Sequence, residues 1–174
     1  MPDSKKKTVV LQPIGDMPKD ALTVLLSRPP IEWLGVEANP PIPIPEDSFD
    51  EGRDQYRVEM FLRSLVPVPG YRVLGVTEVD LFTPSLNFVL GQAECPGRLA
   101  VISTHRLVWG ASEDKYHERI IKEAVHEVGH TLGLKHCDSD TCVMHFSNSI
   151  EDTDIKEWNF CSQCLEKLPK SGQI

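Results

Sequence analysis

One stretch constrains this chain more than any other: His126-Glu127-Val128-Gly129-His130-Thr131-Leu132-Gly133-Leu134-Lys135-His136. It reads His-Glu-x-x-His-x-x-Gly-x-x-His. A helix turns about 100° per residue, so His126 and His130 share one face, a single turn apart. Glu127 is badly placed to share their metal but well placed to reach a water on it. Gly133 can take the left-handed conformation that ends a helix and turns the chain back. That reversal lets His136 join as third ligand and leaves a fourth position open, the mark of a catalytic zinc. Ile120, Ile121, Ala124, Val125, Val128 and Leu132 form the apolar stripe of the same helix. Ser112 or Asp114 is the expected start and Gly133 the stop. Such a site hydrolyses amides: zinc lowers the pKa of its water towards about 7 and polarises the carbonyl. Glu127 takes the proton as general base and returns it to the leaving amine.

A second metal set begins at the next residue. Cys137, Cys142, Cys161 and Cys164 are spaced Cys-x4-Cys, 18 residues, Cys-x2-Cys. This suits a closed tetrahedral four-thiolate zinc site. A pair of disulfides is the rival, and the absence of a secretory signal and the odd cysteine count argue against it. A redox role for Cys161 and Cys164 would leave Cys137 and Cys142 unexplained. Cys95, before Pro96-Gly97, reads as a plain reduced thiol beside a turn. Two zinc ions per chain are therefore expected, one catalytic and one structural. Fixing Cys137 on the second ion would hold His136 on the first, and the metal would stabilise a tail too poor in apolar residues to fold alone.

The histidine motif, with His136-Cys137, Cys142-Val143-Met144 and Cys161-Ser162-Gln163-Cys164 after it, resembles the archaemetzincins of the metzincin clan of zinc peptidases. Leu74-Gly75-Val76-Thr77, Asp80-Leu81-Phe82, Asn87 to Gly91 and Ser103 to Leu107 support the resemblance, which runs from about Tyr56 to Cys164. It implies His126, His130 and His136 as catalytic zinc ligands, Glu127 as base, and the four cysteines as ligands of a structural zinc. It also implies that Met144 is the methionine of the turn beneath the catalytic zinc; without it Met144 reads as an ordinary core residue. The implied fold is a zincin-like α/β (α+β) domain: a twisted mixed sheet with packed helices, among them a long active-site helix, and a small zinc-stabilised C-terminal part. Residues 1–174 then form one catalytic domain, with an upper part at 1–136 and a lower part at 137–174. An edge strand at Asn87 to Gly91, or its neighbour, would hold the substrate backbone antiparallel.

The chain has 174 residues, enough for one sizeable core, and a net charge of −8. That charge argues against nucleic acid as a partner. It keeps the protein soluble, or favours peptides with basic residues or a free amino terminus. No apolar run is long enough for a membrane span. The basic start Met1 to Lys7 precedes an apolar run, Val9 to Leu11, too short for a secretory signal. A cytoplasmic monomer acting on peptides or proteins is expected.

Along the chain, Val9 to Ile14 reads as a strand and Asp16 to Ser27 as a helix, with Pro18 in its first turn and Pro29-Pro30 as its stop. Pro40, Pro41, Pro43 and Pro45 mark an extended surface connection. Asp54 to Leu65 reads as a core-facing helix through Val58, Phe61, Leu62 and Leu65. Tyr71 to Phe82, Asn87 to Leu90 and Arg98 to Ile102 read as strands, and the element order suggests a mixed sheet with helices on it. A zinc-bound protein with an occluded cleft, binding peptides or partners without cutting them, is compatible with the same motif. So is a zinc-ribbon module with incidental histidines. Aminopeptidase and endopeptidase stay open: an exopeptidase needs an acid near the zinc, and Glu94, Asp114 and Glu123 are all candidates. His105 and His117 read as surface or sheet-edge residues, and His145 as packed or solvated.

Overall fold

Three strands of near-continuous apolar sequence build the centre of the molecule. The computed structural model describes residues 8–16, 19–29, 31, 34–69 and 71–169. Strands β1 (Thr8–Pro13), β2 (Gly35–Ala38), β5 (Arg72–Thr77), β7 (Gly91–Ala93) and β8 (Leu99–Ser103) form one sheet. Its order is β2-β1-β5-β8-β7, parallel throughout except for β7, which runs antiparallel at the edge beside β8. A parallel sheet is covered on both faces, so its strands are apolar on both. Val9, Leu11, Leu74, Val76, Ala100 and Ile102 pack under helices α1 (Lys19–Ser27) and α3 (Glu113–Thr131). The alternate residues Val10, Val73, Leu99 and Val101 pack against Val58 and Phe61 of α2 (Val58–Ser64). A small second sheet joins β3 (Phe49–Asp50), β4 (Gln55–Arg57) and β6 (Leu81–Phe82).

Four expected elements change their bounds. The helix expected from Asp54 begins only at Val58, because Tyr56 N–H bonds Asp80 O (2.8 Å) and Arg57 N–H bonds Ser48 O (2.8 Å) in strand β4. The strand expected over Tyr71 to Phe82 divides into β5 and β6, which lie in different sheets. The strand expected at Asn87 to Leu90 lies at Gly91–Ala93 instead. The ladder to β8 starts at Gly91 opposite Ile102, while Val89 bridges to Leu81. The first helix starts at Lys19 rather than Asp16. Pro18, Pro30 and the basic start Met1 to Lys7 lie outside the described residues.

Helix α3 is the backbone of the site. Ser112 caps it, its hydroxyl accepting from Lys115 N–H at 3.3 Å, and every residue from Arg119 to Gly129 is buried. Its chain turns back at Gly133, φ +93°, with Leu134 N–H reaching Gly129 O at 3.1 Å. Beyond lie two short helices, α4 (Ile150–Ile155) and α5 (Ser162–Lys167). Residues Leu134, Cys142, Val143, Met144 and Cys164 pack there against Ile121 and Val125 of α3. Arg119, buried in α3, forks onto Asp154 (2.7 and 2.8 Å) and ties the tail to the helix. Among the described residues no helix is long and apolar enough to cross a membrane.

Candidate active site and metal clusters

The helix, the glycine turn and the sheet edge converge on one cavity of about 740 Å³. Its floor is α3, presenting Glu123, His126, Glu127 and His130. One wall is β7 with the loop before it, from Phe88 to Ala93. The other carries His136, Phe146 and Ser147.

His126, His130 and His136 are brought together, with ligand atoms within 4.8 Å of one another. The Nδ1–H of His126 donates to Val143 O (2.7 Å), and that of His130 to Leu134 O (2.7 Å). Carbonyls only accept, so these bonds fix the tautomer and leave Nε2 of both rings bare for a metal. The two Nε2 atoms lie 3.1 Å apart. Ligands on a tetrahedral zinc at about 2.0–2.1 Å stand about 3.3 Å apart, so the pair fits the ion. Burial, then the Lys156 charge, push His126 well below the ordinary histidine range, and burial lowers His130 and His136 too. Neutral imidazole is the form that ligates a metal.

Glu127 is buried and lines the cavity, and its Oε2 has no hydrogen-bond partner. Burial, then the Glu123 carboxylate, raise its proton affinity well above the ordinary range. A Cβ on Gly91 would come within 2.7 Å of Glu127 Oε1 and of Val101 O, so only glycine lets the edge strand lie this close to the carboxylate. Gly129, inside the motif, plays the same part for Met144: a Cβ there would meet its Sδ at 2.6 Å. Met144 is fully buried in the apolar cluster that holds Cys142 and Cys164, with its carbonyl accepting from Cys137 N–H (3.0 Å).

The four cysteines also converge. Cys137 and Cys161 Sγ lie 3.7 Å apart, as do Cys142 and Cys164 Sγ, and all are free thiols. Zinc–thiolate bonds of about 2.3 Å place two sulfurs about 3.8 Å apart, a fit that a disulfide of about 2.05 Å does not match. The Cys164 backbone N–H lowers the Cys161 thiol to about 7, while burial raises Cys142 and Cys164.

Of the acidic candidates, Glu123 alone lines the cavity, with Lys156 Nζ at 3.5 Å. Glu94 is spent on the backbone N–H groups of Arg98 (2.8 Å) and Leu99 (3.2 Å), and Asp114 lies exposed in the first turn of α3. His105 contacts Glu78 O, His117 lies 3.6 Å from Asp20, and His145 Nδ1–H donates to Cys137 O (2.9 Å). Lys156 was not legible as a site residue. Its side chain is fully buried, donates to His145 O (3.1 Å) and lines the cavity, yet it stands alone in sequence with no spacing to mark it. Glu123 had a signal, four residues before Glu127 on the same face.

The family model described as peptidase family M54 matches residues 50–170. The archaemetzincin of Methanocaldococcus jannaschii is 43% identical over 170 residues, spanning 94% of this chain and 94% of that protein. The crystal structure of archaemetzincin from Archaeoglobus fulgidus, complexed with malonate, matches with a TM-score of 0.86 and 40% identity over 92% of this chain and 99% of that one. A zinc-dependent peptidase from Methanocorpusculum labreanum matches with a TM-score of 0.74 and 26% identity, over 92% of this chain and 100% of that one.

Proposed function

Because the chain belongs to peptidase family M54, the archaemetzincins, and is a zinc metallopeptidase, we propose that His126, His130 and His136 hold its catalytic zinc and that Glu127 is its general base. The observation that carries this is Glu127 Oε2, a buried acceptor without a partner in the wall of the three-histidine cavity. A zinc held by these histidines would supply Lewis acidity, acidifying water and polarising the substrate carbonyl. Glu127 accepts a proton from the water as its oxygen attacks the carbonyl carbon. When the C–N bond breaks, the same carboxyl gives that proton to the departing amine nitrogen. Lys156 and Glu123 neutralise each other at the floor and leave Glu127 the acid that works on the substrate.

The substrate is a peptide or protein. Its backbone lies antiparallel along β7, the free edge of the sheet, where main-chain groups are unpaired on one side. Cys137, Cys142, Cys161 and Cys164 hold a second, structural zinc, and Met144 is the methionine of the turn beneath the catalytic one. Residues 1–174 act as one catalytic domain, whose lower part begins at Cys137. The protein works as a monomer in a reducing, cytoplasmic setting, without nucleic-acid or membrane partners. The free thiols and the net charge of −8 support this.

Glu127→Gln tests the base. Turnover of a peptide library is expected to fall by about 10²–10⁴-fold with zinc per chain unchanged. Full activity in that variant would remove Glu127 from the role. Two zincs per chain are expected in the wild type; one alone would sink the two-metal assignment.

A further inference from the structure

We propose that Lys135 is a specificity residue, selecting an acidic side chain on the N-terminal side of the bond to be cut. This goes beyond the function proposed above and rests on its placement of the substrate along β7. The cavity's charges carry it. Among the described residues lining the cavity, the acidic and basic ones are Glu123, Glu127, Lys135 and Lys156. Glu123 and Lys156 are paired at 3.5 Å, and Glu127 is the base. Lys135 is exposed, and its ammonium meets no carboxylate or carbonyl among the described residues. Apart from the metal, the side chains lining the cavity therefore offer the substrate one uncommitted charge, and it is positive. The net charge of −8 would by itself favour basic peptides, and the cavity reverses that preference locally.

The root of Lys135 is fixed while its tip is free. The preceding carbonyl, Leu134 O, accepts from His130 Nδ1–H (2.7 Å) and from Cys95 Sγ (3.4 Å), and the following residue is His136. The contact with Cys95 puts Lys135 at the Ala93–Cys95 end of the cavity. Glu127 lies at the other end of β7, against Gly91. A peptide antiparallel to β7 enters at Cys95 and leaves past Gly91. Its residues N-terminal to the reacting carbonyl thus pass Lys135. A lysine ammonium is a compact charge on a flexible stem, suited to a single carboxylate at variable reach.

The test is binding to the zinc-loaded Glu127→Gln protein, so that it does not depend on turnover. Acetylated, amidated hexapeptides carrying one Glu, scanned through every position, are compared with their Gln counterparts by calorimetry. The wild type's cut site sets the register. Glu at one position N-terminal to that bond is expected to bind roughly two- to fivefold tighter than Gln, less so at high salt. Lys135→Ala should abolish the preference and Lys135→Glu invert it. Lys167→Glu, the same charge change on α5, should keep it, with zinc content equal in all. Equal binding of Glu and Gln, a preference that survives Lys135→Ala, or one found only C-terminal to the bond would each overturn the proposal. So would tightening that needs a free peptide carboxyl terminus. If the wild type cuts no peptide, the hydrolytic assignment fails, while the Glu-against-Gln comparison in the Lys135→Ala protein still decides whether Lys135 selects an acidic side chain, and a preference for Glu unchanged there overturns the proposal.

Discussion

The histidine and cysteine clusters meet at the His136–Cys137 peptide bond, but they face opposite surroundings. His136 is exposed and its cluster opens into the cavity, whereas Cys142 and Cys164 are 1% and 3% exposed inside an apolar cluster. Both sets have the atom spacing of tetrahedral zinc, so coordination geometry does not separate them. Access does: an open position admits water and substrate, while four thiolates would fill every position on their ion, with Cys142 and Cys164 buried and Cys137 and Cys161 at the rim. The lesson is that one short chain reversal can serve two metals if one side of it is dry.

The largest test of this contrast is Cys164→Ser. Losing the closed site should cost more than about 4 kcal/mol, since structural zinc binding is folding free energy in so small a segment. The expected signature is a much lower melting temperature with both zincs weakened, because His136 loses the anchor beside it. An unchanged melt with two zincs retained would break the comparison. Brief chelation should act the other way round. One zinc leaves and hydrolysis stops, while the melting transition persists until the second ion is removed. Loss of both ions together, followed by metal analysis, would show that the cysteine site is no more closed than the other. Gly91→Ala is expected to lower kcat by about 10- to 100-fold at constant zinc, since the new Cβ displaces Glu127 or the edge strand. Normal kinetics in that variant would separate Gly91 from the base.

The smallest expected effect concerns the tie that holds α4 to α3. The Arg119 guanidinium and Lys115 hold Asp154 at about 2, below the ordinary carboxylate value of about 3.9. A depressed folded value means the contribution is complete above about pH 4 and is lost as pH falls towards about 2. Asp154→Asn should therefore cost about 1–2 kcal/mol at neutral pH, discounted for the partial exposure of Asp154, and the difference should vanish in acid. A difference independent of pH between 2 and 6, read from denaturant melts, would contradict it.

The two side-chain clusters that the structure brings together were legible because their signals are local: a helical pair, a glycine that ends a helix, cysteines in two close pairs. The helix α3 and the parallel core strands followed from their apolar patterns to within a few residues, whereas the strand expected at Asn87 to Leu90 lies at Gly91–Ala93. What escaped depends on partners distant in sequence. Gln55–Arg57 continued a helical pattern but became strand β4, because Asp80 and Ser48 supply its hydrogen bonds. Asp80, held by Arg106 and Gln55, lies where the expected strand divides into β5 and β6. Strands β2 and β3 and helices α4 and α5 were not foreseen, since each is short and formed by docking rather than by its own propensity. The Glu123–Lys156 pair joins residues from two elements, and a single lysine carries no pattern that would reveal its burial.

The carbonyl that orients His126 belongs to Val143, and the last cysteine of the closed set is Cys164. A ribosome delivers the His-Glu-x-x-His segment before either. A nascent chain thus displays its histidines while the parts that orient and lock them are still unmade. On the metal roles proposed above, proteolytic competence would arrive late in synthesis, together with the folding of the tail. A chain interrupted before Cys164 would then be an incomplete protein rather than a stray protease.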